Sequence, residues 1–232
     1  MDKKTFNLQL NTYNKFVSAF FSNLFFVYSL IIAIALILFS SSTIECEVVG
    51  DSMKPTYNQT ENVNDIVYVN KYDNDYTYGD IVVIDSEDNS KPIIKRIVGI
   101  PGDKIDIVFS ANCYYLEVNG ELINEPYLYD NGISYPTIAQ NGMNVTFDHF
   151  ENFKDENPEL LIDGKLLLQN DEYFVLGDNR GVSLDSSKQG AFKKSEILGT
   201  VERNLKDGEN SFDFYYNYIV KGEFFETIIN MF

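Results

Sequence analysis

No charged residue interrupts the chain from Phe16 to Phe39. As a helix this run spans about 36 Å, enough to cross a bilayer core with some tilt. Lys3, Lys4 and Lys15 precede it; Glu45, Glu47 and Asp51 follow it. Lysine on the N-terminal side predicts a cytoplasmic N-terminus and an outward-facing remainder. The run is too long for the apolar core of a cleaved signal peptide. Its one small-x-small triplet, Ala33-Ile34-Ala35, lies in mid-run, where lipid would bury it. The pattern therefore predicts a cytoplasmic segment over 1–15 and a retained anchor over 16–40.

After the anchor the period shortens. Glu45 to Gly50, Asp65 to Asn70, Ile81 to Ile84 and Ile93 to Ile100 read as strands. Asn119-Gly120 joins Tyr114–Val118 to Glu121–Ile123 as a two-residue hairpin. Lys165–Gln169, Glu172–Leu176 and Ile197–Glu202 complete the set. A mainly β domain is expected over 41–204, with a turn-rich insertion near 130–165 that shows no period. Residues 205–232 form a tail. Its apolar part is broken by Asp213, Lys221, Glu223 and Glu226, which excludes a second membrane span. It suits an amphipathic helix, or a strand and helix, packed on the domain or on the membrane surface.

Composition narrows the function. The net charge is −17 with three arginines, which argues against a nucleic-acid surface. Tyr and Phe are abundant and Trp is absent. Cys46 and Cys113 are too few for a disulfide scaffold. A bridge between them is open on sequence grounds, but two separate thiols are the simpler expectation. His149 is the only histidine, so a multi-histidine metal site is excluded and any histidine-based triad depends on it. Its neighbours, Phe147-Asp148-His149-Phe150-Glu151, read as surface. No metal and no cofactor are expected.

Two stretches carry candidate chemistry. Gly50-Asp51-Ser52-Met53-Lys54-Pro55-Thr56 places a serine in a tight polar loop, a plausible nucleophile or an ordinary turn. It lies 13 residues after Phe39, at most about 45 Å of extended chain, so the serine stays close to the outer membrane surface. Without a well-placed histidine it needs another base. In Pro92-Ile93-Ile94-Lys95-Arg96-Ile97, alternation puts Lys95 on the face of Ile93 and Ile97. An ammonium there is costly to keep charged, and a neutral lysine is a base. Arg96 points to the other face, to solvent or to an acid. The alternative is an edge strand whose lysine reaches water.

Together these motifs resemble type I signal peptidases, membrane-anchored serine proteases with a Ser-Lys dyad. Gly50–Thr56 looks like the family's serine box, and Lys95–Asp103 like its lysine box. Gly79–Val83 is similar to its Gly-Asp-Ile-Val-Val strand, and Gly177–Ser186 to its Gly-Asp-Asn-Arg box. The likeness runs from about residue 45 to 200. It implies an antiparallel β-sheet catalytic domain behind one transmembrane helix, outside the plasma membrane. It implies that signal-peptide-bearing precursors are cut after a small-x-small site such as Ala-x-Ala, the precursor binding as an added strand. A monomer is expected, with the lipid bilayer as its other partner. Ser52 would be the nucleophile, Lys95 the base, and Ser183 the group that orients the Lys95 amine. Asp178, Arg180 and Asp185 would brace that loop. The Ser52 N–H would be an oxyanion donor. Val48, Val49, Met53 and Ile94 would line shallow pockets for two small side chains.

Two positions depart from the family pattern. Gly50 stands where some members carry a second, hydroxyl oxyanion donor. Ser187 follows Asp185-Ser186 where an arginine is usual, so Lys188 or Arg180 would have to replace its ion pair. A self-cleaving Ser-Lys protein of the SOS-repressor kind and a non-catalytic anchored β domain remain alternatives at this level. The anchor and the lack of a DNA-binding head weigh against the first.

Overall fold

In a computed structural model, residues 3–58, 63–85, 91–128 and 142–204 are described. The chain forms two compact units, Met1–Thr43 and Ile44–Phe232. The first is helix α1, Lys3–Ser42, whose apolar stretch Tyr13–Ile37 is long enough to span a membrane. None of that stretch is buried within the protein, as lipid-facing side chains would be.

The second unit is built on two antiparallel sheets. Strands β1 (Thr43–Glu47), β2 (Ile66–Asn70), β3 (Ile81–Ile84) and β4 (Ile93–Gly99) enter the larger one. So do β10 (Glu172–Leu176), β11 (Phe192–Lys193) and β12 (Ile197–Asn204). Its order is β1-β2-β12-β3-β4-β10-β11. The last of these strands in sequence, β12, is therefore inserted between β2 and β3. The smaller sheet has the order β7-β6-β5-β9-β8. Its strands are β5 (Lys104–Ser110), β6 (Cys113–Val118), β7 (Glu121–Leu122), β8 (Leu161–Ile162) and β9 (Lys165–Leu167).

Three apolar clusters fill the unit. Val98, Ile107, Leu116, Phe150 and Phe174 belong to one; Val82, Ile84, Ile97 and Val175 to a second. Val48, Met53, Tyr57, Val67 and Val83 form the third. Strand β4 touches all three, through Val98, Ile97 and Ile94, so both its faces are covered and Lys95 is buried. It is an interior strand between β3 and β10, and the edge-strand reading of Lys95 is excluded. Ile93 and Ile97 share a cluster, as alternation predicts.

The predicted strands are present, the first of them ending at Glu47 rather than Gly50, but β5, β8, β11, a helix within the insertion and the short helix Ser186–Gln189 were not foreseen. Lys104–Ser110 forms β5, which pairs with β6 and β9. Within the expected insertion, Met143–Glu156 is helix α2. It buries Met143, Thr146, Phe150 and Phe153, a spacing of three, four and three that marks one helical face. Polar residues around that stripe, and a glycine rather than a side-chain cap at its start, hide it from a composition reading. Residues 129–141 and the tail from 205 lie outside the described residues. Cys46 and Cys113 are separate free thiols.

Candidate active site

Strand β1 ends at Glu47, and the chain turns through Val48–Tyr57 before β2. Val48 is held from both sides: its N–H donates to the Asp65 carbonyl at 2.8 Å, and its carbonyl accepts from Asn58 Nδ2 at 2.9 Å. The same Asn58 amide donates to the Gly50 carbonyl at 2.8 Å. Asn58 Oδ1 accepts from the Asp65 N–H, and the Asn58 N–H donates to the Asp65 carboxylate. Asn58 sits at φ 57, a left-handed conformation that Asn tolerates better than most residues. It is a buried hub for the serine loop that the sequence reading missed. An Asn and an Asp flanking a polar loop were the available signal.

The loop delivers Ser52 to β4. Lys95 Nζ lies 3.0 Å from Ser52 Oγ and donates to the Ile94 carbonyl at 2.8 Å. Lys95 is 3% exposed. Burial pushes its ammonium down from an ordinary 10.5 to about 8, against the opposing pull of the Asp185 and Asp178 carboxylates. At that value the neutral amine, which can take a proton from the serine hydroxyl, is populated near neutral pH. His149 lies on α2.

The third segment is Gly177–Gly190, between β10 and β11. The Asn179 N–H donates to the Ser52 carbonyl at 2.9 Å. A Cβ on Gly177 would lie 2.5 Å from that carbonyl oxygen and 2.3 Å from Ser183 Oγ, so only glycine fits between the two serines. Ser183 is buried beside the site, but its hydroxyl makes no hydrogen bond here. The expected Ser183–Lys95 bond is thus not formed; the backbone carbonyl of Ile94 orients the amine instead. Asp178 takes a two-pronged bond from Arg96, Nε to Oδ1 at 2.9 Å and Nη2 to Oδ2 at 2.6 Å. It also accepts from the Thr56 hydroxyl. Burial works against the Arg96 charge, but the bond to Asp178 prevails and holds it firmly protonated.

Asp185 caps the short helix Ser186–Gln189 and accepts from the N–H and hydroxyl of Ser187, at 3.1 and 2.8 Å, and from the Gly177 N–H at 2.9 Å. Ser187 itself therefore fills the position of the missing arginine. Lys188 is exposed, and Arg180 binds elsewhere: its guanidinium pairs with Glu125 and its Nε donates to the Gly177 carbonyl at 3.0 Å. Glu125 carried no sequence signal beyond its charge.

Val48, Val49 and Ile94 line a groove of about 620 Å³ that holds Ser52 and Lys95, with Val67, Val83 and Leu184 adding apolar wall. Met53 is not among the lining residues; at 1% exposure it packs in the cluster behind Val48. The described residues contain no cluster of His, Cys, Asp and Glu able to hold a metal ion.

A serine hydroxyl within bonding distance of a buried amine, at the wall of an apolar groove, can attack an acyl group. The chain belongs to the signal peptidase family, peptidase S26, whose model matches residues 21–205. It is 36% identical over 158 residues to "Signal peptidase I P" of Bacillus subtilis subsp. natto, covering 67% of this chain and 72% of that one. It is 34% identical over 178 residues to "Signal peptidase I S" of Bacillus subtilis strain 168, covering 74% and 83%. A signal peptidase I of Streptococcus pneumoniae serotype 4 is 30% identical over 220 residues, covering 84% of this chain and 96% of the relative. A crystal structure of a signal peptidase I from Enterococcus faecalis V583 matches 54% of this chain and 96% of its own, at 26% identity and a TM-score of 0.36. The activity is the removal of signal peptides by a serine peptidase, and the apolar helix fits a single-pass membrane protein.

Proposed function

We propose that Ser52 and Lys95 form the catalytic dyad of this peptidase, and that it cuts exported precursors after a small-x-small site such as Ala-x-Ala. The observation that carries the reading is the 3.0 Å approach of Nζ to Oγ at a lysine whose burial favours the neutral amine. Neutral Lys95 accepts the Ser52 proton as Oγ attacks the scissile carbonyl. The Ser52 N–H stabilises the oxyanion that forms. On collapse Lys95 returns the proton to the departing amine of the mature protein. The signal peptide stays esterified on Ser52. Lys95 then deprotonates a water that hydrolyses the ester and restores the serine.

The precursor lies extended along the groove as an added strand. Val48, Val49 and Ile94 meet its two small side chains, with Met53 supporting Val48 from behind. The positive N-terminal flank of α1 supports a cytoplasmic N-terminus, with the catalytic unit on the outer face of the plasma membrane. The ten residues from Thr43 to Ser52 span at most about 36 Å, which suits a substrate that is itself membrane-held.

The test is cleavage of an Ala-x-Ala precursor by the detergent-solubilised full chain, beside Ser52→Ala and Lys95→Ala, with the new N-terminus sequenced. Cleavage at that site, lost in both variants, is expected. Cleavage that persists in either variant, or falls elsewhere in the precursor, would overturn the assignment.

A further inference from the structure

Glu125 is a buried carboxylate that the proposed chemistry does not use. It follows β7 and immediately precedes the 3-10 turn Pro126–Leu128, far in sequence from every motif residue. It is 5% exposed and its partner Arg180 is 1% exposed. Both Nη atoms of Arg180 reach the Glu125 carboxylate, Nη1 at 3.2 Å. The Tyr127 hydroxyl donates to the same carboxylate at 2.6 Å. The face of the Tyr127 ring lies 4.0 Å beneath the Arg96 guanidinium, close enough for a cation–π contact.

This one turn thus touches both sides of the dyad. Arg96 is the chain neighbour of Lys95 and grips Asp178. Arg180 grips the Gly177 carbonyl, and Gly177 is wedged against Ser52 and Ser183. Two residues on, the Asn179 N–H holds the Ser52 carbonyl. A buried ion pair is seldom an efficient stabiliser, because desolvation offsets its attraction and apolar residues fill the space as well. What a guanidinium fork supplies instead is direction, since its five donors are fixed in one plane.

We propose that Glu125 and Tyr127 are positioning residues for the catalytic serine. The Glu125 carboxylate aims the Arg180 fork at the Gly177 carbonyl. Tyr127 ties that fork to the Arg96–Asp178 pair, and the Gly177–Asn179 segment then holds Ser52 against Lys95. The inference rests on the dyad reading given above.

The experiment measures precursor cleavage by the full chain in detergent for wild type, Glu125→Gln, Arg180→Lys, their double variant, Tyr127→Phe and Ser52→Ala. Thermal unfolding is followed on each. Glu125→Gln keeps the shape but loses the charge that aims the fork; Arg180→Lys keeps the charge but loses the fork. Each is expected to lower kcat about tenfold to a hundredfold with KM within about twofold, as a small displacement of reacting groups does. The double variant is expected to be no slower than the worse single one, because both changes break one device. A wild-type kcat in Glu125→Gln, or losses that multiply in the double variant, would overturn the inference. If Glu125→Gln does not accumulate as folded protein, Tyr127→Phe decides. It removes one hydroxyl and is expected to lower kcat about threefold to tenfold, and a wild-type kcat would overturn the inference. Cleavage that survives Ser52→Ala would remove the dyad reading and this inference with it, a failure distinct from one confined to Glu125 and Tyr127.

Discussion

Lys95→Met should abolish cleavage and yet stabilise the catalytic unit at neutral pH. The lysine titrates near 8 in the folded protein and near 10.5 when exposed, a difference of about 3 kcal/mol. Below pH 8 both the folded and the unfolded chain carry the proton, so the folded state bears that whole penalty. Between 8 and 10.5 the folded state has released the proton and the unfolded state has not, so folding gains with rising pH. Above 10.5 neither holds it and the penalty is gone. Methionine, apolar and of similar length, carries no such penalty at any pH. It leaves the Ile94 carbonyl and the Ser52 hydroxyl without the amine, a loss of about 1–2 kcal/mol. The variant should therefore lead wild type by about 1–2 kcal/mol below pH 8, and the lead should shrink by about 3 kcal/mol by pH 10.5. Urea unfolding in detergent from pH 6 to 10.5 measures this, followed by tyrosine fluorescence since the chain has 16 Tyr and no Trp. The kinetics supply a second reading of the same group. The acid limb of kcat/KM should centre near 8, leaving about a tenth of the molecules active at pH 7. Stability curves that run parallel between pH 8 and 10.5 would refute the reasoning, since Lys95 would then titrate alike folded and unfolded.

Three further outcomes are expected. Asn58→Ala removes the two bonds to Val48 and Gly50 and strands the Asp65 N–H, and should cost about 2–3 kcal/mol by thermal unfolding with slower cleavage; a change under about 0.5 kcal/mol would show that the loop holds itself. Gly177→Ala forces a methyl to within 2.5 Å of the Ser52 carbonyl and should lower kcat by about a hundredfold or more; near-normal turnover would show that the wedge yields. Phe150→Ala opens a cavity where the ring meets Phe174 at 5.4 Å and should destabilise the unit by about 3–5 kcal/mol in urea unfolding; a loss below about 1 kcal/mol would mean that α2 closes the gap.

The sequence revealed what is local and hid what is assembled. The anchor, the Asn119-Gly120 hairpin and the strands around Lys95 were legible because each carries its own period or turn signal. Alternation put Lys95 beside two isoleucines and raised a suppressed charge, but it left an edge-strand lysine open until β4 was seen to be interior. The partner of Arg180 was not legible. Glu125 looks like any surface acid until the fold brings it to the buried guanidinium of Arg180, 55 residues further along the chain. The family resemblance put Met53 in a pocket wall, but its side chain turns inward to the cluster behind Val48. Ser183 reached its predicted neighbourhood without making its predicted bond. Helix α2 was overlooked although its apolar stripe was present, because its polar majority outweighed four buried positions.

The place of β12 in the larger sheet has a consequence for timing. Ser52, the proposed nucleophile, hangs from the β1-β2 edge, and Lys95, the proposed base, stands on β4 beyond β3. Among the described residues, β12 alone joins those two halves of the sheet, pairing with β2 through Val201 and Val69 and with β3 through Gly199 and Val83. A ribosome delivers that strand after both halves have been made. Long-range pairings of this kind are slow to form, since loop closure precedes the contacts that reward it. A nascent chain can fold each half and still hold its serine and lysine apart. On the proposed dyad, the site is therefore completed late, when the strand from Ile197 to Asn204 closes the sheet, and a chain cut before Ile197 is expected to show no cleavage.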